Sequence, residues 1–386
     1  IISNFSDKIV PLNTIWQANF LSNAIYSSVV TKQWLEYYND TLWVSSGRTA
    51  SNFLVSSENP LSALMTGSKY IYSNQPDKLN YRIAGFWQKQ PFVWQNDKVF
   101  SLGYASDKIY SDLKSMDSLQ SVKVVTSGIA LDNNFDSNLK PTVAGLEKID
   151  LTNMFKKISY NLNQFIVNEP KKFVYKLPVN LHNKLLFIKI DMMPEKDYLT
   201  HEISINGIKN NYTVNRLYGN KNIFRFVISP DNAGNLSDLS IQVAKSIARQ
   251  GDKNIPFKID KVEAFTMSMD NLLNSRQNFN QMNVTSYNTN GLTGDINIPA
   301  PKSVIAFSIP FDKGFSLKID GQNTPIFSVN NGIIGANIEQ GKHQVVLTYQ
   351  APGFVIGWVI SIITLLFLIF FAIYRIARLK FFIRNK

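Results

Sequence analysis

The chain has 386 residues, with 40 Lys and Arg against 28 Asp and Glu, which gives a formal net charge of +12. It contains no cysteine, which excludes both a disulfide framework and a thiolate metal site. Hydrophobic residues make up 45% of the chain and aromatic residues 12%, which indicates globular material. The basic excess favours polyanionic neighbours such as phosphate-rich wall polymers or lipid headgroups. The patterns below predict an α+β fold that is mainly β.

The sequence pattern over residues 1–125 predicts a mixed α/β extracytoplasmic domain. Apolar and aromatic residues spaced at three and four over 14–43 predict one or two helices. Asn59 followed by Pro60 signals another helix start, and Gly67 signals its end.

Strand-like runs follow at 69–72 and 92–94, in a region crowded with aromatic residues. Aromatic rings can stack against sugars, although most large rings in a globular domain belong to the core. The candidate sugar contacts are Trp34, Tyr38, Trp43 and Trp87.

Residues 126–158 predict a polar connector, because the periodicity weakens there. Its turn signals are Asn133, Asn134, Asn138 and Pro141.

Residues 159–282 predict an antiparallel β-sandwich of a kind that binds carbohydrate, followed by a bridging helix. Short strand-like runs lie at 173–177, 185–190, 202–205, 224–228, 239–243 and 257–265. Short strands at this spacing, separated by Asn, Gly, Asp and Pro, are typical of a sandwich. The pattern at 270–282 predicts the bridging helix, without a cap.

Residues 283–350 predict a small membrane-proximal β domain. Its strand-like runs lie at 303–309, 315–319, 326–329 and 344–349. Turn residues at Asp320-Gly321, Asn331-Gly332 and 340–342 predict sharp turns between the strands.

Residues 351–375 predict a transmembrane helix, because residues 351–374 carry no charge and about 20 apolar residues suffice to cross a bilayer. Residues 376–386 predict a basic cytoplasmic tail that binds anionic membrane lipid. The basic residues after the apolar run are Arg375, Arg378, Lys380, Arg384 and Lys386. Lys and Arg are retained on the cytoplasmic side, so the large N-terminal part is predicted to be extracytoplasmic, on a bacterial cell membrane. No nucleic acid is expected there.

The first residues, from Ile1, resemble neither a signal peptide nor a membrane segment. Because export of the N-terminal part requires one or the other, we expect the chain to belong to a longer or processed protein.

No group of residues in this chain has the spacing or composition of a known catalytic site. His182, His201 and His343 lie far apart in sequence, without metal-ligand spacing. His201-Glu202 begins like a zinc-protease helix, but Ile205 occupies the position that the second His requires. No catalytic residue, metal site or cofactor is therefore predicted within the chain, and the residues alone favour a binding or scaffolding structure.

Several strings resemble the C-terminal extracytoplasmic region and last transmembrane helix of the bacterial YfhO-like membrane proteins. They are PLSALMTGSKY at 60–70, WQNDKVFSLGY at 94–104, SIPFDKGFS at 308–316, KIDG at 318–321, NGIIG at 331–335, GKH at 341–343 and PGF at 352–354. Phe315 departs from the family, which usually carries Trp there, and Phe100-Ser101 stands where Leu-Pro is usual.

The matched motif residues are mostly turn formers, and we expect them to be structural. They are Lys69, Tyr70, Asn96, Gly103, Tyr104, Pro310, Asp312, Gly314, Asp320, Gly321, Gly335, Gly341, His343, Pro352 and Gly353.

The resemblance implies a polytopic glycosyltransferase that uses a sugar linked to undecaprenyl phosphate to glycosylate cell-surface polymers such as lipoteichoic acid. It implies upstream membrane helices in the same protein, with the catalytic acid in a loop before Ile1. This chain would position the acceptor, an anionic cell-surface polysaccharide, and whether it is itself part of an active enzyme is left open. The alternatives are a non-catalytic surface protein, anchored by one helix, that binds carbohydrate or protein, and a gene remnant without function.

Overall fold

The computed structural model describes residues 2–4, 25–26, 32–44, 52–53, 59–72, 82–87, 90–132, 139–163, 171–192, 199–211, 223–231, 233–247, 259–288 and 290–384. The helices are α1 (Lys32–Glu36), continued by a π-helical turn over Tyr37–Thr41, α2 (Pro60–Met65), α3 (Ser118–Val125), α4 (Thr152–Asn163), α5 (Met269–Asn274) and α6 (Phe354–Arg384), with 3-10 turns at Leu113–Ser115 and Ser275–Asn278.

The strands are β1 (Ile2–Asn4), β2 (Ile25–Tyr26), β3 (Asn52–Phe53), β4 (Tyr70–Tyr72), β5 (Arg82–Trp87), β6 (Gln90–Gln95), β7 (Gly103–Ser106), β8 (Ile109–Tyr110), β9 (Ile129–Ala130), β10 (Leu146–Lys148), β11 (Lys171–His182), β12 (Lys184–Met192), β13 (Leu199–Ile205), β14 (Ile208–Asn211), β15 (Ile223–Ile228), β16 (Asn235–Ile247), β17 (Ile259–Ser268), β18 (Asn280–Gln281), β19 (Asn283–Asn288), β20 (Gly291–Pro310), β21 (Phe315–Ile319), β22 (Gln322–Thr324), β23 (Phe327–Val329) and β24 (Ile333–Tyr349). The described chain is therefore mainly β, as predicted.

Helix α2 begins and ends where the sequence predicts. The Oδ1 of Asn59 accepts a hydrogen bond from the backbone N–H of Ser62, and Pro60 occupies the first helical position. Gly67 follows the helix with φ +65°, a left-handed conformation that glycine adopts at little cost. The strands predicted at 69–72 and 92–94 are also confirmed, as β4 and β6. Of the helical region predicted at 14–43, only 25–26 and 32–43 lie within the described residues.

Two four-stranded antiparallel sheets form the predicted sandwich. One has the order β10-β17-β12-β15 and the other β11-β16-β13-β14. Apolar side chains from both sheets, among them Ile188, Phe226, Ile203 and Ile241, share one buried core. Each predicted strand run in this region falls on a strand, although residues 257 and 258 lie outside the described part.

The polar connector predicted at 126–158 is wrong as a description of its structure. It contains β9, β10 and the first half of α4, and Leu151, Phe155 and Ile158 are buried in the sandwich core. Their spacing of four and three is that of a helix face, but the intervening polar residues obscured it. Residues 133–138 lie outside the described part.

The bridging helix predicted at 270–282 is shorter than expected, and it is capped. The Ser268 Oγ accepts a hydrogen bond from the backbone N–H of Asn271 at 3.0 Å. After α5 the chain tightens into a 3-10 turn and then extends as β18. The Asn residues at 274, 278 and 280 explain the early end, since Asn competes with the helix through its own side chain.

The last sheet is built on the long antiparallel pair β20 and β24, and its order is β18-β7-β20-β24-β21-β22, with β19 on β20 and β23 on β24. The sharp turn predicted at 340–342 is wrong, because these residues lie inside β24. Gly341 pairs with Ile298 and Glu339 pairs with Lys302, so a bulge in β20 takes up the irregularity. Strand β7, from far upstream, belongs to this same sheet. The predicted domain boundaries stay a prediction.

Helix α6 follows a turn at Pro352-Gly353, where Gly353 has φ +80°. It runs for 31 residues and includes a 25-residue candidate membrane span, Phe354–Arg378, whose side chains are exposed. Among the described residues it is the one helix that is long and apolar enough to cross a membrane. The helix continues beyond the predicted end of the span at 375 into the basic tail.

Candidate functional site

The motif strings from the two halves of the chain are neighbours in space. The backbone N–H of Phe100 donates to the carbonyl of Leu64 at 3.0 Å, which joins the two N-terminal strings. The Ser308 Oγ donates to the carbonyl of Met65 at 2.6 Å, and the Ser308 N–H donates to the carbonyl of Leu102 at 2.9 Å. Three of the segments that carry the resemblance, at 60–70, 94–104 and 308–316, therefore meet in one place.

The N-terminal motif residues stabilise turns and close backbone approaches. The Lys69 Nζ lies 3.5 Å from the Asp97 carboxylate and 5.8 Å from the centre of the Tyr70 ring. The Asn96 Oδ1 accepts from the N–H of Lys98, which closes a turn. Gly103 packs against Met282 so closely that an added Cβ would lie 2.9 Å from the Met282 Cε.

The C-terminal motif residues also lie at turns and close contacts. Pro310 ends β20, and the Asp312 Oδ1 accepts from the N–H of Gly314 at 2.7 Å. A Cβ on Gly314 would lie 2.5 Å from the carbonyl oxygen of Gln350, and one on Gly335 would lie 2.5 Å from the Val329 side chain.

Asp320 and His343 form a hydrogen-bonded pair beside the Asp320-Gly321 turn. The His343 Nδ1 lies 2.7 Å from the Asp320 Oδ2, and the N–H of Gln344 donates to the Asp320 Oδ1 at 2.8 Å. These two contacts hold the pKa of Asp320 below its ordinary value. Gly341 lies against the His343 ring. This pair orders the exposed end of a hairpin.

The candidate sugar contacts differ in burial. Trp43 is 1% exposed, and its ring packs edge-on against Phe187 and Phe265 at 5.4 and 5.7 Å, so it belongs to the core. Tyr38 is likewise buried. Trp34 is half-buried and packs on Tyr38 at 4.8 Å. The side chain of Trp87 lies outside the described part, and sugar contact by Trp34 stays a prediction.

A buried polar cluster lies where the π-helical turn meets the loop between β23 and β24. We call it the tyrosine junction: Tyr37, Thr41, Tyr104, Asp132, Asn330 and Asn331. The Thr41 Oγ1 donates to the carbonyl of Asn330 at 3.2 Å and accepts from the Asn331 Nδ2 at 3.1 Å. The N–H of Ala130 donates to the Asn330 Oδ1 at 2.9 Å, and the N–H of Asn331 donates to the Asp132 Oδ1 at 2.7 Å. Chain positions almost 300 residues apart are thus joined by hydrogen bonds.

Burial dominates the electrostatics of the junction. It raises the pKa of Tyr37 and of Tyr104, so both phenols stay protonated at neutral pH. The side chains of Asn330 and Ser308 lie near enough to the Tyr104 hydroxyl to oppose this rise, but neither contact has hydrogen-bonding geometry. Burial also raises the pKa of Asp132, against the hydrogen bonds from Ser328 and Asn331.

Some polar atoms of the junction have no hydrogen-bond partner among the described residues. These are the hydroxyls of Tyr37 and Tyr104, the Asn330 Nδ2 and the Asn331 Oδ1. Neutral phenols and amides can donate and accept hydrogen bonds, but they do not supply a base at neutral pH. The phenols and amides of the junction therefore suit recognition and positioning.

Backbone strain is concentrated around the junction. Trp43, Asn330 and Asn331 have φ of 55°, 53° and 67°, and Gly332 has φ 135°. Such conformations persist only where the surrounding structure enforces them, and they cluster at functional sites. Sequence reasoning marked Asn331-Gly332 as a turn and Tyr104 as a motif residue, but it missed Tyr37, Thr41, Asp132 and Asn330. The Asn-Asn-Gly string was the available signal, since these residues tolerate positive φ best.

Among the described residues, no group of three or more His, Cys, Asp or Glu side chains is arranged to hold a metal ion.

A β-rich body joined to one exposed apolar helix of membrane-spanning length defines this chain as a membrane protein. The family described as bacterial membrane protein YfhO matches residues 4–361, and the chain belongs to that family.

One relative is the protein named uncharacterized protein YfhO from Bacillus subtilis (strain 168). It is 33% identical over 86 residues, which are 22% of this chain and 10% of the relative, so the match spans about a tenth of the relative's length. Among solved structures, the crystal structure of dimeric latent PorU from Porphyromonas gingivalis is 11% identical and covers 47% of this chain and 18% of that one. Its TM-score of 0.15 is too low to indicate a shared fold.

Proposed function

We propose that this chain is the extracytoplasmic C-terminal part of a membrane glycosyltransferase that takes its sugar from undecaprenyl phosphate. Its role is to position an anionic cell-surface polymer, such as lipoteichoic acid, beside the bilayer. Family membership across residues 4–361, together with a large β-rich body joined to an apolar helix of membrane-spanning length, is the observation that carries the proposal. In this proposal, upstream membrane segments of the same protein carry out catalysis. The C-terminus faces the cytoplasm.

A group of exposed lysines supports an anionic acceptor. Lys156 and Lys157 are exposed on α4, and Lys172 and Lys176 are exposed on β11, which α4 contacts. We call these four residues the basic surface; Lys172 and Lys176 lie on the outer face of β11, because they alternate with the core-packed Phe173 and Tyr175, and Lys176 is opposite Asp238. Long cationic side chains on neighbouring elements attract a polyphosphate through an interaction that salt screens.

Replacing the four lysines of the basic surface by Gln should weaken binding of lipoteichoic acid about tenfold, since each exposed charge contributes less than about 1 kcal/mol. The measurement is the affinity of the full chain in lipid nanodiscs for purified lipoteichoic acid, at low and at high salt. A matched control replaces four exposed lysines elsewhere, Lys98, Lys302, Lys318 and Lys342, by Gln. The control removes the same net charge and should keep most of the affinity.

Equal loss in both variants would mean that net charge alone attracts the polymer, and it would count against a positioning site. An affinity that is the same at low and at high salt would favour the alternative, a non-catalytic surface protein that recognises neutral carbohydrate or protein. The transferase part of the proposal is tested separately in native membranes. There, a chain deleted upstream of this region should lose transfer of sugar from the lipid-linked donor.

A further inference from the structure

The core of the last sheet loses its cover at the end nearest α6. Residues opposite each other in an antiparallel pair share a face, and Leu292, Leu347 and Leu317 form one such buried row across β20, β24 and β21. Two residues further along β24, Tyr349 lies on the same face but is 37% exposed. Its ring packs on Phe315, the residue opposite, at 4.7 Å between ring centres.

A third aromatic residue lies at the same end. Tyr287 pairs with Leu292, which places it in the same row, and it is 51% exposed on the outer strand β19. The N–H of Tyr349 donates to the carbonyl of Asn290 at 2.7 Å, so the turn after β19 lies beside Tyr349. The N–H of Gln350 donates to the carbonyl of Gly314 at 2.9 Å, which brings exposed Lys313 to this edge as well. We call Tyr287, Phe315 and Tyr349 the aromatic rim.

The start of α6 fixes how far the rim can lie from the bilayer. Five Cα steps of at most 3.8 Å separate Tyr349 from Phe354, so the two residues are at most about 19 Å apart. The chain turns within that stretch, because the N–H of Phe354 donates to the carbonyl of Ala351. The rim therefore lies close to the helix start.

The length of α6 places its start at the boundary between the hydrocarbon core and the headgroups. Its uncharged part, residues 354–374, is about 31 Å long, which matches a hydrocarbon core of about 30 Å. Trp358, 62% exposed and one turn into the helix, is the residue type that sits at the membrane interface. Phe354 and the turn before it then lie among the headgroups.

We propose that the aromatic rim rests in the headgroup layer of the bilayer that α6 crosses, with Lys313 beside it facing anionic headgroups. Aromatic rings with one polar end are favoured at this depth, and the lipid covers the apolar face that the sheet leaves open. The body is thereby held at a fixed tilt on the membrane, although only the Pro352-Gly353 turn connects it to the helix.

The absence of cysteine allows a clean test, because one introduced cysteine gives one label. A nitroxide is attached at Asn290→Cys, beside the rim, or at Gln340→Cys, nine residues before Tyr349 along β24 and about 30 Å away. The full chain is placed in nanodiscs of phosphatidylcholine and phosphatidylglycerol. Collision of the label with oxygen, which partitions into lipid, is compared with collision with a water-soluble nickel complex.

We expect the ratio of oxygen to nickel collisions to be at least about threefold higher at position 290 than at position 340, as for a group lying at the acyl boundary. Equal, low ratios at both positions would overturn the proposal. A low ratio at 290 with slowed label motion would also overturn it, and would mean that protein covers the rim.

The aromatic side chains are tested in the Asn290→Cys background. Changing Tyr287, Phe315 and Tyr349 to Ser should reduce the ratio at 290 to the value at 340, whereas Tyr287→Phe with Tyr349→Phe should keep it high. A high ratio in the serine variant would show that the helix alone holds the edge down, which contradicts the role of the rim. If the triple serine variant does not fold, the exposed residues are changed singly, as Tyr287→Ser and Tyr349→Ser, and each should lower the ratio at 290, whereas unchanged ratios would contradict the role of the rim.

Discussion

Gly332 is the residue at which the tyrosine junction is most sensitive to added volume. It has φ 135°, and an added Cβ would lie 2.3 Å from the carbonyl oxygen of Gln33, in α1. Backbone at that distance cannot move aside as a flexible side chain can. The loop between β23 and β24 and the π-helical turn therefore require glycine here.

We expect Gly332→Ala to lower the free energy of unfolding by at least about 2 kcal/mol more than Gly321→Ala does, since overpacking adds its cost to that of positive φ. Gly321 is the matched control, with φ 80° and no atom within 4 Å of an added Cβ. Chemical unfolding of both variants in detergent micelles measures the difference. Equal costs would mean that α1 moves away from the loop without penalty.

Residue-level function was the hardest part to predict from the sequence. Trp43 and Tyr38 are candidate sugar contacts by sequence because rings stack on sugars, but a sequence does not distinguish an exposed ring from a core ring. The partners of Trp43, Phe187 and Phe265, lie more than 140 residues away. The same holds for Thr41 and Asn331, whose hydrogen bond connects positions that no local pattern relates.

Helix α2 depends on one side chain more than a short helix ordinarily does. The Asn59 Oδ1 caps the helix, while its Nδ2 donates to the carbonyls of Leu42 and Trp43, both at 2.8 Å. One amide thus fixes the helix start and the strained backbone at Trp43.

Asn59→Ala should therefore destabilise the chain by about 2–3 kcal/mol, the sum of a lost cap and two lost buried hydrogen bonds. Ser268→Ala, which removes only the cap of α5, should cost about 1 kcal/mol. Thermal unfolding, followed by tryptophan fluorescence, compares the two variants. A cost for Asn59→Ala no greater than that for Ser268→Ala would show that the carbonyls of residues 42 and 43 find other partners.

Elements were predictable where local chemistry decided them. Proline after an N-cap Asn located α2, and alternating apolar residues located the sandwich strands. Element prediction failed where distant packing decided the structure. Helix α4 was missed because its apolar face is narrow and is defined by the sandwich that covers it. Residues 340–342 have the composition of a turn, but pairing with β20 keeps them in β24.

At the scale of the whole molecule, one apolar cluster connects segments that the sequence assigned to different domains. It contains Trp43 and Leu61 from the first part, Phe187 and Phe265 from the sandwich, and Ile333 from the last sheet. The Arg225 Nη1 of β15 also lies 2.6 Å from the Asp40 Oδ1 in the π-helical turn, and both side chains are largely buried.

We expect the part of the chain outside the membrane to unfold in a single transition, because the segments share this cluster and cannot lose it independently. Differential scanning calorimetry of the full chain in micelles should give one peak, and Trp43→Ala should move that peak as a whole. Two resolved peaks, with only one shifted by the substitution, would show that the predicted domains are separate folding units.

The 17 residues of β24 connect the junction to the bilayer without a break, from Ile333, next to Gly332, to Tyr349. At about 3.3 Å per residue this strand is roughly 55 Å long. The length of β24 therefore sets an upper limit on the distance between the lipid surface and anything that the buried loop contacts. An acceptor chain rooted in the same membrane would meet the protein within its first few nanometres, not at its distant tip.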